Sequence, residues 1–128
     1  MPGRLRVLIV DDHAGVVKSV SRLLKLDCEI VGGITDCGGL LDAVRRFKPD
    51  LIVLDMNFPD ADGLKACREV TQANPGMKVI VFTAADADDT DARQRALEAG
   101  AIAFVDKLAP NAGLLSAVRN LAAGMRGS

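Results

Sequence analysis

Five short apolar runs alternate with five amphipathic segments along the 128 residues of this chain. The apolar runs are rich in Val, Ile and Leu, which is typical of parallel strands that are buried on both faces. The segments between them carry apolar residues at helical spacing. Because strands that alternate with helices connect through right-handed crossovers, the pattern predicts a parallel sheet with helices on both faces.

Turn and cap signals bound the ten predicted elements. Pro49 ends the second helix, the run Asn74-Pro75-Gly76 ends the third, and Gly100 is placed to cap the fourth in the left-handed conformation. Five such strands fit the flavodoxin-like order 2-1-3-4-5, so we predict a single α/β, doubly wound (βα)5 domain over residues 1–128. The predicted strands are 6–10, 29–34, 51–54, 78–82 and 103–105, and the predicted helices are 15–26, 39–47, 63–73, 90–99 and 111–123.

Composition argues against several classes of function. No apolar run approaches the roughly 18 residues of a membrane span, and no signal peptide is apparent, so we expect a cytoplasmic protein without membrane association. The chain has 16 Lys and Arg against 17 Asp and Glu, no Trp or Tyr, and 4 Phe. We therefore expect that this domain itself binds no nucleic acid. The three cysteines include no C-x-x-C pair and His13 is the only histidine, so no zinc site is expected, and we interpret His13 as a loop residue at the start of the first helix.

Acidic residues follow two of the predicted strands: Asp11 and Asp12 follow the first, and Asp55 follows the third. These strands are neighbours in the predicted order, and open α/β sheets bind ligands at the carboxyl ends of their strands. Crowded carboxylates raise one another's pKa unless a cation compensates, and oxygen ligands favour Mg²⁺. Thr83 and Lys107 add a hydroxyl and an ammonium at the ends of the fourth and fifth strands. The set predicts a Mg²⁺-dependent site for phosphoryl transfer in which one aspartate could be the nucleophile.

A family resemblance rests on these same residues. The run Asp55-Met56-Asn57-Phe58-Pro59-Asp60-Ala61-Asp62-Gly63 resembles the phosphoacceptor signature of response-regulator receiver domains, whose fold is the CheY-like form of the predicted sheet. The pair Asp11-Asp12, the pair Thr83-Ala84 and Lys107 match the same family in order and approximate spacing, over essentially the whole chain. The Asp-Asp-His opening and the absence of Pro after Lys107 are most similar to the NarL/FixJ-type subfamily, which carries LuxR-type output domains.

The resemblance implies a phosphoacceptor and a metal site. Asp55 would accept a phosphoryl group from a sensor histidine kinase, and Lys107 would pair first with Asp55 and then with the phosphoryl group. Asp12 would bind Mg²⁺ (or Mn²⁺) directly and Asp11 mainly through water, while Asp55 and the backbone carbonyl of Asn57 would complete the protein ligands.

The resemblance also implies a conformational switch. Thr83 would swing in to hydrogen-bond a phosphoryl oxygen, and Phe104, three residues before the lysine, would be the switch aromatic. Because Phe104 lacks the hydroxyl of the more usual Tyr, we expect a less two-state switch at this position. Leu108 rather than Pro follows Lys107, so we expect a trans peptide bond there.

The implied output is control of transcription by the chain's own output domain or a separate one, with a homodimer formed on phosphorylation. We expect a receiver excised from a longer regulator with a C-terminal helix-turn-helix domain, a stand-alone receiver being the alternative. No enzymatic activity is expected beyond self-phosphorylation from a phosphodonor and self-dephosphorylation. Two other functions stay open: a degenerate receiver that serves as a docking module, and a haloacid-dehalogenase-like phosphatase. That phosphatase class requires Asp-x-Asp after its first strand, where this chain has Asp11-Asp12.

Overall fold

A five-stranded parallel sheet forms the centre of the protein, which is analysed as a computed structural model. The structure describes residues 4–58, 61–84, 90–107 and 112–126. The strands of the sheet are β1 (Leu5–Val10), β2 (Cys28–Ile34), β3 (Leu51–Leu54), β4 (Lys78–Thr83) and β5 (Ala103–Asp106). Their spatial order is β2-β1-β3-β4-β5 and every neighbouring pair is parallel, so the predicted fold class and strand order are confirmed.

Five α-helices connect and cover the strands. They are α1 (Ala14–Leu24), α2 (Leu40–Phe47), α3 (Gly63–Ala73), α4 (Thr90–Glu98) and α5 (Ala112–Arg126). A 3-10 turn at Cys37–Gly39 precedes α2, and the two-residue strands Asn57–Phe58 and Ala61–Asp62 pair antiparallel beside the sheet. Helix α1 is shorter than predicted: the chain turns tightly after Leu24, where the amide of Asp27 donates to the Leu24 carbonyl.

Side chains along each strand alternate between two hydrophobic layers, as the pleat requires. On β1, Leu8 and Val10 face the layer covered by α2, α3 and α4, while Val7 and Ile9 face the layer covered by α1 and α5. All four residues of the central strand β3 are buried. Burying one such side chain contributes about 1.5–3 kcal/mol, so the apolar runs hold the sheet between its helices.

Backbone hydrogen bonds extend the sheet by one residue at the carboxyl ends of three strands. The amide of Asp11 donates to the Ile34 carbonyl, and the amide of Asp55 donates to the Val10 carbonyl. The amide of Lys107 donates to the Thr83 carbonyl in the same way. The polar residues that follow the strands therefore have their backbones fixed by the sheet rather than by a free loop.

Gly100 and Gly76 both have positive φ, +107° and +93°, but they differ in the space around them. A Cβ at Gly100 would lie 2.6 Å from Thr71 Oγ1, whereas a Cβ at Gly76 would meet nothing within 4 Å. We expect Gly76→Ala to lower the free energy of unfolding by about 1 kcal/mol through backbone strain alone. Gly100→Ala should cost about 1–2 kcal/mol more, because Thr71 must also move. Urea denaturation of both variants measures the difference, and equal losses would contradict the steric part of this account.

Candidate functional site

Five of the predicted site residues meet at the carboxyl edge of the sheet. Asp11, Asp55 and Thr83 are 2%, 3% and 0% exposed, and Asp12 and Lys107 are half-buried around them. Val10 of β1 pairs with Leu54 of β3, so the residues that follow these strands come side by side. Charged and polar groups at this depth require partners, and the contacts at the edge show how Asp11, Asp55, Thr83 and Lys107 find them.

The Asp55 carboxylate accepts hydrogen bonds on both oxygens. Its Oδ1 accepts from Thr83 Oγ1 at 2.8 Å and from the backbone N–H of Asn57 at 3.0 Å. Its Oδ2 accepts from Lys107 Nζ at 3.0 Å. The side chain is therefore held in one orientation by three donors, two of which come from other strands.

Lys107 bridges two carboxylates rather than one. Its ammonium pairs with Asp11 Oδ2 as well as with Asp55 Oδ2. Burial alone would lower the pKa of Lys107, but its hydrogen bonds to Asp11 and Asp55 and the charges of both carboxylates together raise that pKa above its ordinary value. The ammonium therefore stays protonated at neutral pH and supplies the positive charge between the two acids. The sequence predicted the pairing with Asp55; the contact with Asp11 was missed.

A chain of hydrogen bonds runs from Asn57 through Thr83 to Asp55. Asn57 Nδ2 donates to Thr83 Oγ1 at 2.8 Å and to the Ala84 carbonyl at 3.3 Å, and Thr83 Oγ1 in turn donates to Asp55 Oδ1. The Thr83 hydroxyl thus already donates to Asp55; that it moves to a phosphoryl oxygen on phosphorylation stays a prediction. The Asn57 side chain was also not anticipated, because only its backbone carbonyl was predicted to take part.

A buried acceptor beside these groups fits a cation. Asp12 Oδ1 is buried and accepts no hydrogen bond among the described residues, although His13 Nδ1 lies 3.0 Å away. Ligand atoms of Asp11, Asp12, His13 and Asp55 all lie within 4.8 Å of one another. An unsatisfied carboxylate oxygen among other carboxylates is costly, and a divalent cation that prefers oxygen ligands compensates it. The residues present therefore fit Mg²⁺; that the Asn57 carbonyl is a further ligand stays a prediction.

Phe104 lies on β5, half-buried against the layer covered by α2, α3 and α4. The guanidinium carbon of Arg93 on α4 is 5.3 Å from the centre of its ring, which is within the range of a cation–π contact. Its role as a switch residue stays a prediction. The predicted trans bond between Lys107 and Leu108 lies outside the described residues, as do Pro59 and Asp60 of the phosphoacceptor run.

Within the described ranges, no helix is both long enough and apolar enough to cross a membrane.

Replacing Lys107 tests the charge balance of the site. In Lys107→Met, Asp11 and Asp55 lose their shared ammonium, so we expect the free energy of unfolding to fall by about 3 kcal/mol in the presence of a chelator. Mg²⁺ should stabilise this variant more than it stabilises the wild type, because the carboxylates then depend on the cation. Urea denaturation with chelator or with Mg²⁺ measures both effects, and Lys18→Met, which removes an exposed lysine of α1, is the matched control. An equal Mg²⁺ effect in all three proteins would contradict this balance.

Comparison with known proteins agrees with the geometry of the site. The family model of the response regulator receiver domain matches residues 7–119. Response regulator GacA of Pseudomonas aeruginosa is 34% identical over 124 residues, which are 95% of this chain and 57% of that relative. The chain thus spans little more than half the length of this relative.

Solved structures give the same result. A LuxR-family two-component response regulator from Aurantimonas superposes with a TM-score of 0.86 at 28% identity, covering 94% of this chain and 86% of that one. The signal receiver domain of NarL from Mycobacterium tuberculosis superposes with a TM-score of 0.84 at 28% identity, covering 96% and 99%. The predicted resemblance to receiver domains, NarL-type ones included, is confirmed, and the phosphatase alternative gains no support. The chain belongs to the response regulator receiver domain family of two-component signalling proteins.

Proposed function

We propose that Asp55 accepts a phosphoryl group from a sensor histidine kinase in a Mg²⁺-dependent reaction. The observation that carries this proposal is the Asp55 carboxylate itself, which is buried at the sheet edge with Lys107 Nζ and Thr83 Oγ1 bonded to its two oxygens. A carboxylate oxygen attacks phosphorus, the bond from phosphorus to the donor breaks, and an acyl phosphate forms on Asp55. An ammonium and a hydroxyl already stand where the charge of the incoming group must be met.

Three carboxylates and one backbone carbonyl would bind the cation together. Asp11, Asp12 and Asp55, with the backbone carbonyl of Asn57, would hold Mg²⁺ or Mn²⁺. When bound, the cation neutralises charge on the carboxylates and the phosphoryl oxygens. The buried Asp12 Oδ1 supports this role, because it accepts no hydrogen bond among the described residues and has the exposed His13 imidazole 3.0 Å away. Lys107 would supply the remaining positive charge. Its ion pairs with Asp11 and Asp55 stabilise the two carboxylates when no cation is bound.

Phosphorylation would act on the switch residues by changing the partners of groups that are already in place. The Thr83 hydroxyl now donates a hydrogen bond to Asp55 Oδ1, and on phosphorylation it would donate to a phosphoryl oxygen instead. It would not have to turn in from solvent. Phe104, held beneath Arg93 by the cation–π contact, would respond through packing, since it has no hydroxyl. To convert a 1:99 equilibrium between the inactive and active states into 99:1, phosphorylation must favour the active state by about 5.5 kcal/mol.

The wider setting follows from the family and belongs to the same proposal. The partner would be a cytoplasmic histidine kinase domain, and the output would be a domain of the same regulator or a separate protein that controls transcription, with a phosphorylation-dependent homodimer. The partial coverage of GacA supports a longer regulator. The chain would catalyse no reaction beyond its own phosphorylation and dephosphorylation. A degenerate docking module is the weaker account, because each residue required for phosphoacceptance is present and directed at Asp55 or beside it.

The direct test of this function is covalent labelling of Asp55. Incubation with acetyl phosphate and Mg²⁺ should add one phosphoryl group to the wild type, because Asp55 is the nucleophile. Asp55→Asn should remain unlabelled, and a chelator should suppress labelling of the wild type. Intact-mass spectrometry measures the adduct, and Asp42→Asn, which alters an exposed aspartate of α2, should label like the wild type. Equal labelling of Asp55→Asn and wild type would overturn the assignment.

Thr83 offers a separate test of the switch. In Thr83→Val, Asn57 Nδ2 and Asp55 Oδ1 each lose a partner, so we expect the free energy of unfolding to fall by about 1–3 kcal/mol. Because the hydroxyl links the phosphoryl group to the rest of the edge, the NMR shift of the Phe104 ring on phosphorylation should also shrink. Thr83→Ser keeps the hydroxyl and should retain both properties. A Phe104 response that persists undiminished in Thr83→Val would show that Thr83 does not carry the signal.

A further inference from the structure

A cavity of about 220 Å³ lies at the amino ends of β1 and β2, at the opposite end of the sheet from Asp55. It is bounded by Arg4, which precedes β1, by the turn that connects α1 to β2, and by α5. Three charged side chains line it, those of Arg4, Asp27 and Arg119. Two guanidiniums against one carboxylate give this lining a net positive charge, and no part of the proposed function uses it.

Both arginines are held in place by contacts that involve only part of each guanidinium. Arg4 Nη2 donates to the backbone carbonyls of Lys25 and Cys28, at 2.7 and 3.0 Å. Arg119 Nη2 donates to Asp27 Oδ2 at 3.2 Å, and the Arg119 side chain is 59% exposed. A guanidinium carries N–H donors on all three nitrogens, and among the described residues these contacts use Nη2 alone. Because an exposed ion pair contributes little to stability, Arg119 can also pair with a second carboxylate.

The floor of the cavity is apolar and uncharged. Cys28, Val118 and Ala122 line it at 2%, 0% and 9% exposure, and the exposed Leu26 forms a wall. Burial is the largest influence on the Cys28 thiol and raises its pKa, so the thiol is protonated at neutral pH. A ligand that fits this cavity therefore has a negatively charged group at the rim and an apolar body against the floor.

We propose that this cavity binds a short-chain organic carboxylate, with Arg4 and Arg119 at its carboxylate group and Cys28 and Val118 against its chain. A carboxylate matches a guanidinium, which can donate to both of its oxygens. At about 30 Å³ for each water-sized group, the cavity has room for about seven non-hydrogen atoms, which is the size of pentanoate. The inference goes beyond the proposed function, because none of the residues that line the cavity belongs to the phosphoacceptor edge.

The experiment is an NMR titration of the complete 128-residue chain with sodium pentanoate at constant ionic strength. The amides of Cys28 and Val118 should shift and saturate with a dissociation constant on the order of 1 mM, as suits so small a ligand. Arg119→Met keeps an apolar stem without the charge and should weaken binding about fivefold or more. Asp27→Asn removes the competing carboxylate and should tighten binding about twofold or more. Lys18→Met, which removes an exposed lysine that does not line the cavity, should bind like the wild type.

Two related molecules separate the contribution of the charge from that of the chain. Pentanol lacks the charge and acetate lacks the chain, so each should bind about fivefold more weakly than pentanoate or worse. If the shifts do not saturate, or if Arg119→Met and the wild type bind pentanoate equally, the inference is wrong. Acetate that binds as tightly as pentanoate would also contradict it, because the apolar floor would then play no part.

Labelling by acetyl phosphate keeps this test separate from that of the proposed function. Arg119→Met should be labelled on Asp55 like the wild type, with or without pentanoate, because the cavity and Asp55 lie at opposite ends of the sheet. A wild type that binds pentanoate but is not labelled would contradict the proposed function and leave this inference standing. A wild type that is labelled but binds no pentanoate would do the reverse.

Discussion

The ammonium of Lys107 between Asp11 and Asp55 is the contact on which the rest of the site depends. Two buried carboxylates at adjacent strand ends repel each other, and their burial removes the water that would screen them. The compensating charge comes from β5, which is two strands away from β3 and lies at the far edge of the sheet. Because the sheet is parallel, the carboxyl ends of β1, β3 and β5 all lie on the same side of it. The ion pairs of Lys107 therefore connect the edge strand β5 to the central strands β1 and β3. The same two carboxylates raise the pKa of Lys107.

In the proposed phosphorylation, the same partners would serve Asp55 before and after modification, which would limit how the site switches. Lys107 and Thr83 already satisfy the carboxylate, so the proposed phosphorylation would gain little from bringing them near and would have to act through a difference in their contacts. An equilibrium shifts only by the difference in interaction free energy between its two states. The difference available here is the added charge and reach of a phosphoryl group. These favour small displacements of Thr83 and Lys107, and of the strands that carry them, over the entry of a distant side chain.

The sequence was sufficient to predict the backbone of the site but not all of its contacts. Contiguous apolar strands placed Asp55 and Thr83 at strand ends, and parallel order then brought them together, because backbone position follows from periodicity and topology. The contact of Lys107 with Asp11 and that of the Asn57 amide with Thr83 were missed. Both depend on side-chain rotamers that join elements far apart in the chain, and neither periodicity nor motif spacing carries that information. His13 was interpreted as a loop residue at the start of the first helix, and it is the N-cap of α1, but the contact of its ring with Asp12 was not predicted.

The hydrogen-bond chain from Asn57 to Asp55 determines how Thr83 can respond. A hydroxyl donates one hydrogen bond, and the Asn57 amide occupies an acceptor position of Thr83 Oγ1, so the single proton is directed at Asp55. In the proposed phosphorylated state the negative charge would lie further out, on a phosphoryl oxygen, and that proton would follow it by a small rotation while the amide contact persists. Asn57 would thus keep the hydroxyl oriented in both states and reduce the conformational entropy that Thr83 loses when it binds the phosphoryl group. If Thr83 is restrained in this way, the proposed phosphorylation would require only a small rearrangement of the site. The half-buried Phe104 lies on β5, the strand that pairs with the Thr83 strand β4, and is placed to respond to it.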